Sequence, residues 1–235
     1  MTLKRLTVRA LAGMIFSVLT FVPNSLVRLS PFAFAQPAPA SQAVTFAQAG
    51  LPASEVVWQH VGRLYLNPNT GKAVYVGYLV HIEGIASSLF DGSPSEATAY
   101  FTFSTDVLSL TPMPNNGNIG LNLVSPGTFN VYYNTSPNGD WSDPATFSSG
   151  RLIATFTRTE SLFPAIGPIG IHNLSESLSF SRRFTFDGGT YNFDRIAPHG
   201  ITFAQFVDMT PLTGVTDYPV AFAAVGSTTA IGPKE

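Results

Sequence analysis

From Glu55 onward, apolar and polar residues alternate with a period of two, the mark of strands that bury one face. The alternation comes in eight bursts, at residues 56–66, 73–83, 97–108, 119–124, 128–134, 151–159, 174–186 and 190–196. Between them stand the residues that turns require. Asn67-Pro68-Asn69-Thr70-Gly71 separates the first two bursts and Asp187-Gly188-Gly189 the last two, where glycine accepts the positive φ of a tight hairpin. Pro112 and Pro114 keep the connection over 111–117 out of any strand. Residues 134–150 form the longest loop after that. A short helix is expected over 201–209, where Phe203, Phe206 and Val207 share a face.

Links this short predict an all-β domain built as a single antiparallel meander. Eight strands close into a barrel, and closure removes the unpaired edges that invite aggregation; the alternative is a two-sheet β-sandwich. The domain is expected over residues 55–197. Residues 198–235 read as a C-terminal extension, with one edge strand at 220–225 and a loose tail.

Ahead of the domain the texture differs. Lys4, Arg5 and Arg9 precede an uncharged apolar stretch over 10–22, and Ala33-Phe34-Ala35 offers small residues where signal peptidase cuts. The stretch is shorter than the about 20 residues that span a bilayer. Residues 1–35 are therefore read as a signal peptide cleaved near Ala35-Gln36, giving a secreted or periplasmic protein. Residues 36–54, rich in Ala, Pro, Gln and Ser, read as a flexible lead-in.

Charge narrows the partners. Four of the 12 Lys and Arg fall in residues 1–35, whereas all 14 Asp and Glu lie beyond them, so the mature part carries a net charge of −6. Such a chain offers no electrostatic footprint for nucleic acid and does not suit an anionic membrane surface. No second segment has membrane-spanning length. With no cysteine there is no disulfide and no thiolate site. The sequons at Asn134 and Asn173 matter only in a eukaryotic secretory host. Nothing in the sequence fixes an oligomeric state.

Candidate chemistry rests on faces and register. If Leu66 lies opposite Ala73, Trp58 lies opposite His81, with His60 and Glu83 near it on the same face. That group predicts a site with Glu83 as acid or base, His81 as its partner and Trp58 as the wall; the two imidazoles, His60 and His81, and the carboxylate could also hold a divalent ion such as zinc. A slip of one residue would disperse it. Arg158 and Arg182 fall on otherwise apolar faces, so each needs a partner, a place to face Glu83, or a strand end from which to reach water. Tyr100 belongs to a row of hydroxyls that would line a lumen, or face solvent. Trp141, with Tyr132 and Tyr133, is a candidate sugar-stacking platform. Asn138, Asp140 and Ser142 alternate as calcium ligands do, but lack the glycine and glutamate that complete such a loop.

No nucleophile elbow, phosphate-binding loop or dinucleotide fingerprint is present, so no metal and no cofactor is expected. The reading is a non-catalytic binder of a small apolar or saccharide ligand. The alternatives are a barrel enzyme of isomerase or cyclase type using Glu83 and His81, and a structural envelope or matrix protein without a pocket. A cavity of several hundred Å3 lined by Trp58 and Glu83 would favour the first two, a filled core the third.

Overall fold

The computed structural model describes residues 55–232; the expected signal peptide and the whole lead-in lie outside them. Eight antiparallel strands close into a barrel. In chain order these are β1 (Val56–Asn67), β2 (Lys72–Ile82), β3 (Phe101–Thr105), β6 (Gly127–Tyr133), β7 (Arg151–Arg158), β9 (Ile169–Ser181), β12 (Ile201–Asp208) and β14 (Tyr218–Ala230). Each pairs with the next, and β14 closes on β1. The order is that of an up-and-down meander. The remaining elements are insertions between staves: β4 (Leu108–Asn116) with β5 (Ile119–Val124), β8 (Ser161–Ile166), β10 (Phe184–Phe186) with β11 (Gly189–Tyr191) and helix α1 (Phe193–Ile196), β13 (Leu212–Val215), and two short 3-10 helices at Glu96–Thr98 and Pro144–Ser148.

Three sequence expectations are corrected. The C-terminal segment is no extension, because β12 and β14 are full staves. The short helix expected over 201–209 is a strand: Ile201, Phe203, Gln205 and Val207 are buried while Thr202, Phe206 and Asp208 are exposed. Gln205 interrupts the apolar alternation and Phe206 sits outside, which together mimic a helical face. Lastly, residues 111–116, expected to stay out of any strand, belong to β4. Pro112 and Pro114 fit there because β4 pairs with β2 only at Ser109 and Leu108, so beyond that point one edge is free.

The insertions cap the two ends differently. Taking the end where β1 finishes as the upper one, β4, β5 and β8 pair side by side above it. They form a flap that arches from β2 to β9 over β3, β6 and β7. It meets the staves at Lys72↔Ser109 and Ala73↔Leu108 on one side, and at Ala165↔Gly170 and Ile166↔Ile169 on the other. The β10–β11 hairpin, turning at Asp187-Gly188 with positive φ at both, and α1 close the lower end with Phe184, Phe186 and Phe193.

Candidate functional site

The lower half of the barrel is solid. Trp58, fully buried, stacks on Phe129 at 5.9 Å between centroids and meets the edges of Phe156 and Phe193. Phe101 stacks on Tyr133 at 5.1 Å, with Phe184 and Phe186 against its edge. Two open grooves of about 730 and 520 Å3 lie on the outside at this end, along Tyr133, Arg183 and Phe184 and along Ser87, Tyr100 and Phe186, and neither is lined by Trp58 or Glu83.

The grouping expected around Trp58 does not form. The β1–β2 register begins as read, with Leu66 opposite Ala73, and holds to His60 opposite Leu79. A bulge between Gln59 and His60 then sets Gln59 opposite His81 and Trp58 opposite Ile82. Ile82 turns inward in place of His81. His81 and Glu83 lie together outside, 3.4 Å apart, with side chains 44% and 33% exposed. The carboxylate does not meet either arginine.

The other candidates scatter as well. Tyr100 is half-buried beside Phe186 at the lower rim. Arg182 is exposed just past the end of β9, its guanidinium 5.4 Å from the centre of the Phe180 ring, as a strand-end arginine would be. Trp141 lies against the outer wall, packed on Phe147 at 4.7 Å and covered by the Arg63 guanidinium at 4.6 Å. Tyr65 Oη donates to its carbonyl. In the same loop Asp140 Oδ1 accepts from the backbone N–H and the hydroxyl of Ser142, which is an Asx turn and needs no ion. Among the described residues no three His, Asp or Glu gather as metal ligands.

Arg158 and His60 remain, and both point inward. His60 is buried and stacks on Phe203 at 4.9 Å, with neither ring nitrogen hydrogen-bonded. Burial lowers its pKa to about 3, so the ring is neutral. It fits because the facing residue of β14 is Gly226, where a Cβ would lie 2.7 Å from Nε2.

Arg158 anchors the upper half. Its guanidinium lies over Gly127, where a Cβ would come within 2.9 Å, and Nη1 is 3.9 Å from Glu176 Oε1. Both side chains are almost wholly buried. The β7–β9 register puts the two residues opposite each other on the inward face. Burial pushes the Glu176 carboxyl up to about 8, against the pull of Arg158. His172, two turns of the pleat above, shares a 2.9 Å hydrogen bond with Ser161 Oγ of the flap. Burial first and the Arg158 charge second lower its pKa to about 4.

These groups surround a cavity of about 30 Å3, room for one or two waters. Tyr75, Thr105, Arg158, His172, Glu176 and Gln205 supply its polar lining. The flap roofs it with Leu108, Leu110, Val124 and Phe163. Four lining atoms have no hydrogen-bond partner: Tyr75 Oη, Arg158 Nη2, Glu176 Oε2 and Gln205 Oε1. Each such atom costs about 1–3 kcal/mol when buried, and native interiors hold few of them. The four atoms come from four staves and converge on one cavity, whose size suits one or two waters as their partners.

Glu176 and Gln205 are the residues that the sequence reading missed. The signal for Glu176 was present: even positions 172–180 read His, Leu, Glu, Leu, Phe, an apolar face carrying one carboxylate as the β7 face carries one arginine. No helix among the described residues is long and apolar enough to cross a membrane. No family model, curated protein or solved structure matches this chain.

Proposed function

We propose that this barrel binds a small molecule with an apolar body and an acidic head, held in its upper half with the head on Arg158. The observation that carries the reading is the set of four unpartnered polar atoms converging on one otherwise apolar cavity. Burial pushes the Glu176 carboxyl up to about 8 and so weakens it as a counter-charge; Asp106 also acts on the guanidinium and Ser125 O accepts from its Nε, but Nη2 faces the cavity without a partner. An acidic head would supply that partner. Tyr75 Oη would donate to the head, Gln205 Oε1 would accept from a water beside it, and Leu64, Phe129, Leu174 and Phe203 would line its body. An apolar ligand is favoured over a saccharide because the interior walls are aliphatic and aromatic and Trp141 is covered.

The closed cavity is far smaller than the roughly 300–1,000 Å3 of drug-sized sites. Admission therefore requires the flap to lift. It is held by two short register segments, the Leu110 N–H donated to Gly71 O, Lys72 Nζ on Ser109 Oγ, the His172–Ser161 hydrogen bond and the Phe163 contact, and lifting must break these at one side.

A second reading shares the site. Glu176, a carboxyl held near pH 8 beside a guanidinium and facing a cavity, has the properties of a general acid or base. In a barrel enzyme it would take the role that the sequence suggested for Glu83. Turnover of a bound compound, lost in Glu176→Gln with binding kept, would select this reading.

The test of binding is native mass spectrometry of protein purified from its own host, beside titration with dodecanoic acid and dodecanol. A retained small acid, or dodecanoate bound more tightly than the alcohol and lost in Arg158→Met, supports the proposal. Bare protein that takes up neither compound contradicts it.

A further inference from the structure

The flap that roofs the cavity is largely apolar on both faces. Its inner face carries Leu108, Leu110, Val124 and Phe163. Register places Met113 opposite Leu121 and Leu123 opposite Leu162, and alternation puts these, with Pro164 and Ile166, on the outer face. Met113, Leu162 and Ile166 are 42%, 50% and 53% exposed. A sheet with one face in water normally presents polar residues to it; here β4 offers Ser109, Thr111 and Asn115, but the outward positions of β5 and β8 are all apolar. The apolar surface continues onto the wall beside the flap, where Ile169, Phe206 and Val225 rim a groove of about 350 Å3. Exposed apolar surface that runs on like this marks an interaction site.

The charges nearby choose the partner. Asp106, Glu160, Asp208 and Asp217 stand at the ends of the strands around this surface, and Lys72 is the basic residue at the flap's attachment to β2. Four carboxylates against one ammonium repel an anionic bilayer. They also repel one another when two copies meet face to face about a two-fold axis. A lipid surface without net charge meets neither penalty, and it takes apolar side chains directly.

We infer that the flap end docks on a lipid surface without net charge, with Met113, Leu162 and Ile166 inserted. The inference rests on the ligand-binding reading for its purpose: an apolar ligand would pass from lipid beneath the lifted flap without crossing water. Phe206 and Val225 extend the same contact.

Flotation with phosphatidylcholine vesicles tests this, using wild type and the double variant Leu162→Asp, Ile166→Asp. Wild type should float with the vesicles. The variant should bind about tenfold more weakly or worse, the scale expected from withdrawing two apolar side chains. Equal melting temperatures and circular dichroism establish that the variant is folded; Leu162→Ser, Ile166→Ser replaces it if not. Adding phosphatidylglycerol should weaken wild-type binding. Wild type that stays unbound, that floats only with phosphatidylglycerol, or that sediments as a dimer dissolved by the double variant overturns the inference. Dodecanoate uptake without vesicles, measured on the same proteins, separates the two proposals. Uptake without flotation removes the docking surface alone, and flotation without uptake removes the ligand reading alone.

Discussion

The two halves of the barrel are made by the same alternation of inward and outward residues and serve different ends. Below, Trp58, Phe101, Phe184 and Phe193 pack with the aliphatic Ile82, Val131, Ile153 and Ile201 and leave little space, while Phe129 and Phe156 lie between the two halves. Above, Arg158, His172, Glu176, Gln205 and Tyr75 take equivalent inward positions and leave four polar atoms unpartnered around a small cavity. The caps differ to match. The lower one is a two-stranded hairpin and helix whose phenylalanines plug the core, whereas the upper one is a flap largely apolar on both sides. The lower half supplies stability, and the upper half spends some of it. The lower half carries unpartnered atoms of its own, Trp58 Nε1 and Thr228 Oγ1, but no charged group is among them.

The largest expected effect breaks the lower half. Trp58→Ala should cost about 3–5 kcal/mol, the range for removing a large aromatic from a packed core, read as a drop in unfolding midpoint in urea. Arg158→Met should cost less, about 1–3 kcal/mol, although it breaks a buried pair. Without the guanidinium Glu176 keeps its proton more firmly, so the price is an unpaired neutral group and not an unpaired charge. A loss equal to that of Trp58→Ala would mean that the upper half is packed as tightly as the lower.

Glu176→Gln sharpens the comparison through pH. The folded carboxyl titrates near 8 and the unfolded one near 4.5, so the folded state binds the extra proton between them. Its contribution is fully present below pH 4.5 and is lost as pH rises toward 8. The variant should therefore match wild type in melting temperature at pH 4.5 and gain on it steadily up to pH 8. The two histidines act the opposite way, since His60 and His172 stay neutral when folded down to about 3 and 4. Their stabilising contribution is lost as pH falls from 6.5 toward those values. His60→Phe should accordingly flatten the acid side of the melting curve and leave the Glu176 side unchanged. The smallest effect belongs to Glu83→Gln, which should fall within about 0.5 kcal/mol of wild type because its partner His81 is also at the surface.

Much of the frame was legible because turns announce themselves. The Asn67–Gly71 turn set Leu66 opposite Ala73, and Asp187-Gly188-Gly189 set the β10–β11 hairpin. The bulge at Gln59 had no such signal, and it alone moved His81 to the outside. β14 was legible only as an edge strand over 220–225, because Ala, Gly, Thr and Ser dominate its remainder. Its small residues are there to face large ones, as Gly226 faces His60. Arg158 was legible as a lone charge on an apolar face, but its partner Glu176 sits eighteen residues on, and only the β7–β9 register brings them together.

The contrast between the halves is tested most directly by nitrogen-15 NMR of the labelled protein titrated with dodecanoate. The account predicts shifts concentrated in β4, β5 and β8, at Arg158, His172 and Glu176, and along the upper part of β12, with the Trp58 indole and the amides of Phe101 and Phe193 unmoved. Shifts centred on the lower half or on the Trp141 loop, or none at saturating ligand, would contradict it.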